Sequence, residues 1–292
     1  MLVAQLLING IAAGAIYSLI AVGFALIFNA TRMMHLAHGA VYTAGAYAFG
    51  VSVLWLGLPY PAAALVAIFI AILIGVGTDI LVYRPIKRFG GGENSILVAS
   101  LGVIILLQSL YAIAFTTDTM TVRAGALPSF QFGGLSVTIL HIIMLGVVAV
   151  VFPALHAFLN WTRYGRAVRA LADDPNLALA QGLNIGLLQI VIFALGSALA
   201  GVAGVLVSVE VGVNPDMGFM AVFVATVAVI VGGVGQLYGA MLGSFALGLL
   251  QQLSVWKIDS AWQHAVVYIV LVIFLIVRPS GALGHRMKVR QA

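Results

Sequence analysis

Apolar runs of about twenty residues recur along this chain from Leu2 to Val277, separated by short polar breaks. Each run, wound as an α-helix, is long enough to cross the ~30 Å hydrocarbon core of a bilayer. Hydrophobic residues make up 63% of the 292 and charged residues 7%. No polar block is long enough to fold as a separate domain. The chain therefore reads as an all-α polytopic integral membrane protein, one transmembrane domain over residues 1–292.

The runs fall at 2–28, 37–57, 61–83, 95–115, 137–159, 186–208, 219–233, 237–255 and 265–278. The break GGVGQLYG, Gly232 to Gly239, admits a tight turn between two crossings or a re-entrant pair of half-helices buried among neighbours. A bundle of eight or nine transmembrane helices is expected. No basic residue precedes the first run, so a retained span is expected there rather than a cleaved secretory signal. Cysteine is absent, which excludes disulfides and thiolate metal sites.

Basic residues tend to stay on the cytoplasmic side of a membrane. With the N-terminus outside, Arg32, Arg84, Lys87, Arg88, Arg163, Arg166, Arg169, Arg278, Arg286, Lys288 and Arg290 fall inside, and Arg123 and Lys257 outside. This bias requires an odd number of crossings and a cytoplasmic C-terminus. It also accounts for the net charge of +5 without nucleic acid as a partner. Small residues recur four apart at Gly10 and Gly14, Ala40, Ala44 and Ala48, Gly196, Ala200 and Gly204, and Gly239 and Gly243. That spacing lets helix backbones approach closely.

A transport protein needs a source of energy. A phosphate-binding P-loop ends in Gly-Lys-Ser/Thr, but Lys87, Lys257 and Lys288 follow Ile86, Trp256 and Met287. No ATPase site of that kind is available on this chain. Ion-coupled carriers commonly hold acids deep in the bilayer. Here Asp79 lies five residues before Arg84, about 7.5 Å along a helix, and so near the inner surface, where local pairing is expected. Glu210 and Asp216 fall near the outer surface. His35 and His38 could share a helix face, yet neither cysteine nor a nearby carboxylate completes a metal site. A polar contact or a place on a solute path is expected instead, with no metal and no catalytic residue.

One segment stands apart. In YGRAVRALADDPNLALAQGLN, Tyr164 to Asn184, four charges fall within nine positions. Arg166 to Ala172 reads as one short helix. Asp174 and Pro175 suit the N-cap and first position of a second, which Gly182 closes as a left-handed C-cap. Asn184 can cap the next membrane helix. Helices of about two turns are unstable alone in water, so this segment is either a capped connector on the membrane surface or a docking element for a cytoplasmic partner.

Three stretches carry a resemblance: MMHLAHGAVYTAGAYAFG (Met33 to Gly50), GRAVRALADDPNLALAQGLNI (Gly165 to Ile185) and GGVGQLYGAMLGSFALGLL (Gly232 to Leu250). In order and spacing the chain resembles the LivH-type permeases of branched-chain amino-acid ABC importers. The resemblance implies a permease subunit in the bacterial cytoplasmic (inner) membrane, with no cofactor of its own. Its implied partners are a second related permease, two cytoplasmic ATPase subunits that bind ATP, and an extracytoplasmic solute-binding protein. The loop 160–185 would couple to the ATPases through Arg166, Arg169, Asp173, Asp174, Pro175, Leu177 and Gly182. Asn9, Ser18, Asn29, His38, Tyr42 and Gln108 are candidates for the translocation path. Branched-chain or other apolar amino acids are the expected solutes. Urea, amides and aromatic acids are the alternatives within such a family, and an autonomous carrier or channel is the alternative outside it.

Overall fold

The computed structural model describes residues 1–123, 128–278 and 281–283. Helix α1 (Leu2–Thr31) is followed by a short irregular connector and α2 (His38–Leu54). Helix α3 (Tyr60–Thr78) runs on through a π-helical turn (Asp79–Tyr83) into α4 (Arg84–Arg88), and α5 (Glu93–Phe115) returns. A β-hairpin, β1 (Ser129–Phe132) and β2 (Leu135–Thr138), precedes α6 (Ile139–Trp161). Two short helices come next, α7 (Arg163–Asp173) and α8 (Pro175–Ala180), then α9 (Ile185–Val211), α10 (Met217–Gly232), α11 (Leu237–Ser254) and α12 (Gln263–Val277).

The hairpin corrects the all-α expectation and moves the start of the fifth apolar run from 137 to Ile139. Its strands pair antiparallel, Ser129 with Thr138 and Phe132 with Leu135. Gly133 and Gly134 both take positive φ, +54° and +82°, the backbone that a two-residue turn needs to match the twist of its strands. The hairpin is tied to the start of α1. The Gln5 side chain donates to the Ser136 carbonyl at 2.9 Å and accepts from the Ser136 amide at 2.8 Å.

Six helical stretches are long and apolar enough to cross a membrane: Leu2–Thr31, Tyr60–Arg88, Glu93–Phe115, Ile139–Trp161, Ile185–Val211 and Ser260–Val277. The pair α10 and α11, bent by 115° at its break, makes a seventh if it counts as one span. Length and composition thus give a polytopic membrane fold with six to seven helices of full spanning length, fewer than the eight or nine apolar runs expected to cross. The difference lies in α2, which has 17 residues, and in the division of α10 from α11. The residues just before α2 leave helical form while still inside the protein, where Met33, His35, Leu36 and Ala37 are all buried.

Helix α1 is the axis of the bundle and packs on α11, α9 and α10, while α2 and α3 pack on α9 and on each other. The expected backbone approaches are present. A methyl group at Gly14 would sit 2.8 Å from Phe245 Cα, and one at Gly204 only 2.4 Å from the Tyr42 carbonyl oxygen. Closely spaced backbones give dispersion contact where lipid supplies no hydrophobic drive between helices. One polar bond reinforces the α1–α11 seam: the Tyr17 hydroxyl donates to Gln251 Oε1 at 2.7 Å.

Candidate functional site

The two ends of the bundle differ. One carries the hairpin and the first residue of α1; the other carries α7 and α8. At the second end, Thr162 caps α7 by accepting from the Gly165 amide at 2.9 Å. Asp174 caps α8 by accepting from the amides of Asn176 and Leu177 at 2.9 and 3.1 Å. Helix α8 closes on Gly182, φ +77°, with Leu183 N bonded to the Ala178 carbonyl and Gly182 N to the Leu179 carbonyl. This paired closure satisfies carbonyls that a helix end would otherwise leave free. Asn184 then accepts from the Leu187 amide at 3.0 Å and caps α9. The first short helix begins at Arg163, three residues earlier than its charges alone suggested.

Only a narrow stripe of this segment faces the protein. Gly165, Val168, Leu171 and Ala178 are buried. Arg166, Arg169, Asp173, Asp174, Pro175, Leu177 and Gly182 are all exposed. Leu177 and Leu179 are 56% and 62% exposed. The segment is latched to the bundle axis by Arg32, whose guanidinium donates to the Ala172 carbonyl at 3.3 Å.

Behind α7 lies a cleft of about 770 Å³, bounded by the end of α1, by α7 and by the α10–α11 turn. Asn29, Arg32, Arg166, Arg169, Asp173, Gln236 and Tyr238 supply its polar lining. A smaller recess of about 280 Å³ adjoins it at Arg169 and Tyr238 and reaches Phe152 and Met241. Three polar groups are organised there. His156 Nδ1 and the Tyr238 hydroxyl share a hydrogen bond, and Asn160 donates to the His156 carbonyl at 2.8 Å. Movement of α7 relative to the α10–α11 turn would change the volume of the cleft, since both form its walls.

Known proteins decide what kind of chain this is. The profile of the permease component of the branched-chain amino acid transport system matches residues 6–275. The chain belongs to this family. The high-affinity branched-chain amino acid transport system permease protein BraD of Pseudomonas aeruginosa is 31% identical over 96% of this chain and 95% of its own length. The corresponding permease protein LivH of Salmonella typhimurium is 32% identical over the same shares. Among solved structures, PsaBC from Streptococcus pneumoniae in complex with Fab aligns with a TM-score of 0.54 at 14% identity, over 93% of this chain and 91% of that one. That is a likeness of fold alone.

In this permease the six candidate path residues do not converge on one site. Asn29 borders the large cleft, and its buried Oδ1 has no hydrogen-bond partner among the described residues. His38 and Tyr42 are enclosed in the bundle, the His38 ring lying edge-on to Phe24 and to His35. Ser18 donates to the Ala15 carbonyl at 2.6 Å in its own helix. Asn9 accepts from Gln5 at 3.0 Å, and Gln108 bonds Asp216, linking α5 to the loop before α10. Arg32, Gln236 and Tyr238 line the cleft without being among the site residues expected from sequence. Only the position of Arg32 at the end of an apolar run hinted at its place.

Proposed function

We propose that this chain is the permease subunit of an ATP-driven importer of branched-chain or other apolar amino acids in the bacterial inner membrane. It works beside a second related permease, two cytoplasmic ATPase subunits and an extracytoplasmic solute-binding protein. ATP is bound by the partners, and this chain carries no cofactor, metal or catalytic residue. The single observation that carries the coupling role is the α7–α8 segment. It is firmly capped and held by one buried stripe, yet it leaves Leu177 and Leu179 exposed on α8.

The mechanism follows from its attachments. Closure of the ATPases displaces α7 and α8. Helix α6 leads directly into α7, α9 leaves directly after α8, and the Arg32 latch carries the end of α1 with them. Reorientation of α1, α6 and α9 then opens or closes the cleft. Within this single transmembrane domain, the exposed faces of α5, α6 and α12 are left for lipid and for the second permease.

The same reading gives nine passes, with the N-terminus outside and the C-terminus cytoplasmic. Its support is that α1 starts beside the hairpin, whereas Ala282 and Leu283 bond to the carbonyls of Val231 and Gly232 at the α10–α11 turn, next to the cleft. Chain ends on opposite sides require an odd number of crossings, and α2, α10 and α11 supply the additional ones. Arg286, Lys288 and Arg290 lie outside the described residues.

Reconstitution tests the proposal. In liposomes supplied with ATP and all three kinds of partner, uptake of radiolabelled leucine is expected; the chain alone should accumulate none. Gradient-driven accumulation by the isolated chain would make it an autonomous carrier. Uptake of urea, a short amide or an aromatic acid in place of leucine would reassign the substrate.

A further inference from the structure

The π-helical turn Asp79–Tyr83 joins two parts of the permease that are far apart in sequence. Asp79 is 1% exposed, and its Oδ2 accepts from Arg84 Nε at 2.8 Å. This is the one ion pair among the described residues. Arg84 makes a second bond from the other arm of its guanidinium: Nη2 donates to the Gly186 carbonyl at 2.8 Å. Gly186 lies in the first turn of α9, directly after the α7–α8 segment and its Asn184 cap.

The placement is not explained by helix stability. A cation at a helix N-terminus opposes the helix dipole, so Arg84 is held against the first turn of α9 by its fork geometry and by Asp79. At the other end of the same π turn, the buried Tyr83 hydroxyl hydrogen-bonds His35 Nδ1 at 2.7 Å. His35 belongs to the irregular connector between α1 and α2, whose Ala37 amide is fixed by Ser100 Oγ at 2.8 Å. Extra-residue turns of this kind interrupt a helix at a defined place and recur at functional sites.

We propose that Arg84 is a positioning residue that transmits displacement of the coupling segment to the centre of the bundle. With its fork spanning Asp79 and Gly186, α9 cannot shift at its first turn without dragging the π turn. Tyr83 then passes the shift to His35 and the entry of α2. This inference rests on the coupling role proposed for α7–α8.

The test uses the complete importer in liposomes, measuring leucine uptake and ATP hydrolysis together. The double variant D79N/R84Q leaves no unpaired buried charge. It should assemble and hydrolyse ATP at the unmodified rate, with uptake per ATP reduced on the order of ten-fold, within the usual range of inter-site coupling. R84K keeps the pair with Asp79 but cannot span to Gly186; its uptake per ATP should fall about three-fold, on the same scale. Because the chain has no cysteine of its own, spin labels at Lys87→Cys and Leu187→Cys can follow the α4–α9 distance. ATP should leave that distance unchanged in the otherwise native chain and broaden it in R84K. Unchanged uptake per ATP in R84K, or identical label distances with and without ATP in R84K, overturns the proposal even if the double variant does not assemble. Absence of ATP-dependent uptake in the unmodified complex would instead overturn the coupling reading on which it rests.

Discussion

Helices α1 and α12 are about equally apolar in their central stretches, yet they occupy opposite positions in the bundle. In the most apolar stretch of α1, 78% of the residues are buried inside the protein; in Ser260–Val277 the figure is 6%. Hydropathy does not separate them. Their small residues do: α1 carries Gly10, Gly14, Ser18 and Gly23, whereas α12 is built of bulky Val, Ile, Leu and aromatic side chains with Ala265 alone among them. In lipid a large apolar side chain gains little by exchanging an acyl chain for a neighbouring helix. Close approach of backbones is what selects the centre.

The strongest way to break this account is to fill the α1–α11 seam. Gly14→Val would place a side chain 2.8 Å from Phe245 Cα, a backbone atom that cannot yield as a flexible side-chain tip can. Overpacking of a tight core commonly costs about 1–3 kcal/mol and sometimes more, and here the obstruction is helix against helix. Loss of monodisperse protein in detergent, or a fall of several degrees in its melting midpoint, is expected. A Gly14→Val protein as stable as the parent would show that the seam is not what holds α1 at the centre.

The α7–α8 segment belongs to neither class, because it depends on caps and one buried stripe. Gly182→Val puts a β-branched residue at φ +77°, where an L side chain costs about 1–2 kcal/mol. Membrane insertion should be unchanged while uptake per ATP falls. Unaltered transport would return the segment to the role of a passive connector. Asp174→Ala is milder. It removes the acceptor of two amides, typically worth about 1 kcal/mol, so amide exchange across Asn176 to Ala180 should quicken roughly five-fold. Exchange at the parent rate would mean that neighbouring contacts, not the cap, hold α8.

The caps were readable because they are local: Asp174–Pro175, Gly182 and Asn184 each act within a few residues of themselves. Local signals also explain why Asp79 could be expected to find a partner nearby, as it does in Arg84. The hairpin is legible too, since Gly133–Gly134 sits between SFQF and LSVT, but apolar spacing alone merges the end of its second strand with the run that starts at 137. What the sequence hides is contact at long range. Nothing in it pairs Arg84 with a backbone carbonyl at Gly186, or brings Arg32 to α7. Polarity alone selected the path candidates, and polarity does not say that Ser18 turns back on its own helix while Asn29 opens on a cleft.

The smallest expected effect tests the outer half of the comparison. Gly102 lies on α5, a peripheral helix, and a methyl group there would meet nothing within 4 Å. Gly102→Ala in the isolated chain should therefore leave the melting midpoint unchanged, or raise it slightly through the better helix propensity of alanine. Gly102→Leu sharpens the point, because a larger side chain is tolerated against lipid but not against a second protein. If α5 faces acyl chains in the working complex, Gly102→Leu should assemble with the second permease as the parent does. If α5 is the face that meets that partner, the isolated chain should stay stable while the paired complex weakens in co-purification. Stability of the single chain and yield of the pair thus separate what the bundle needs for itself from what it keeps exposed for assembly.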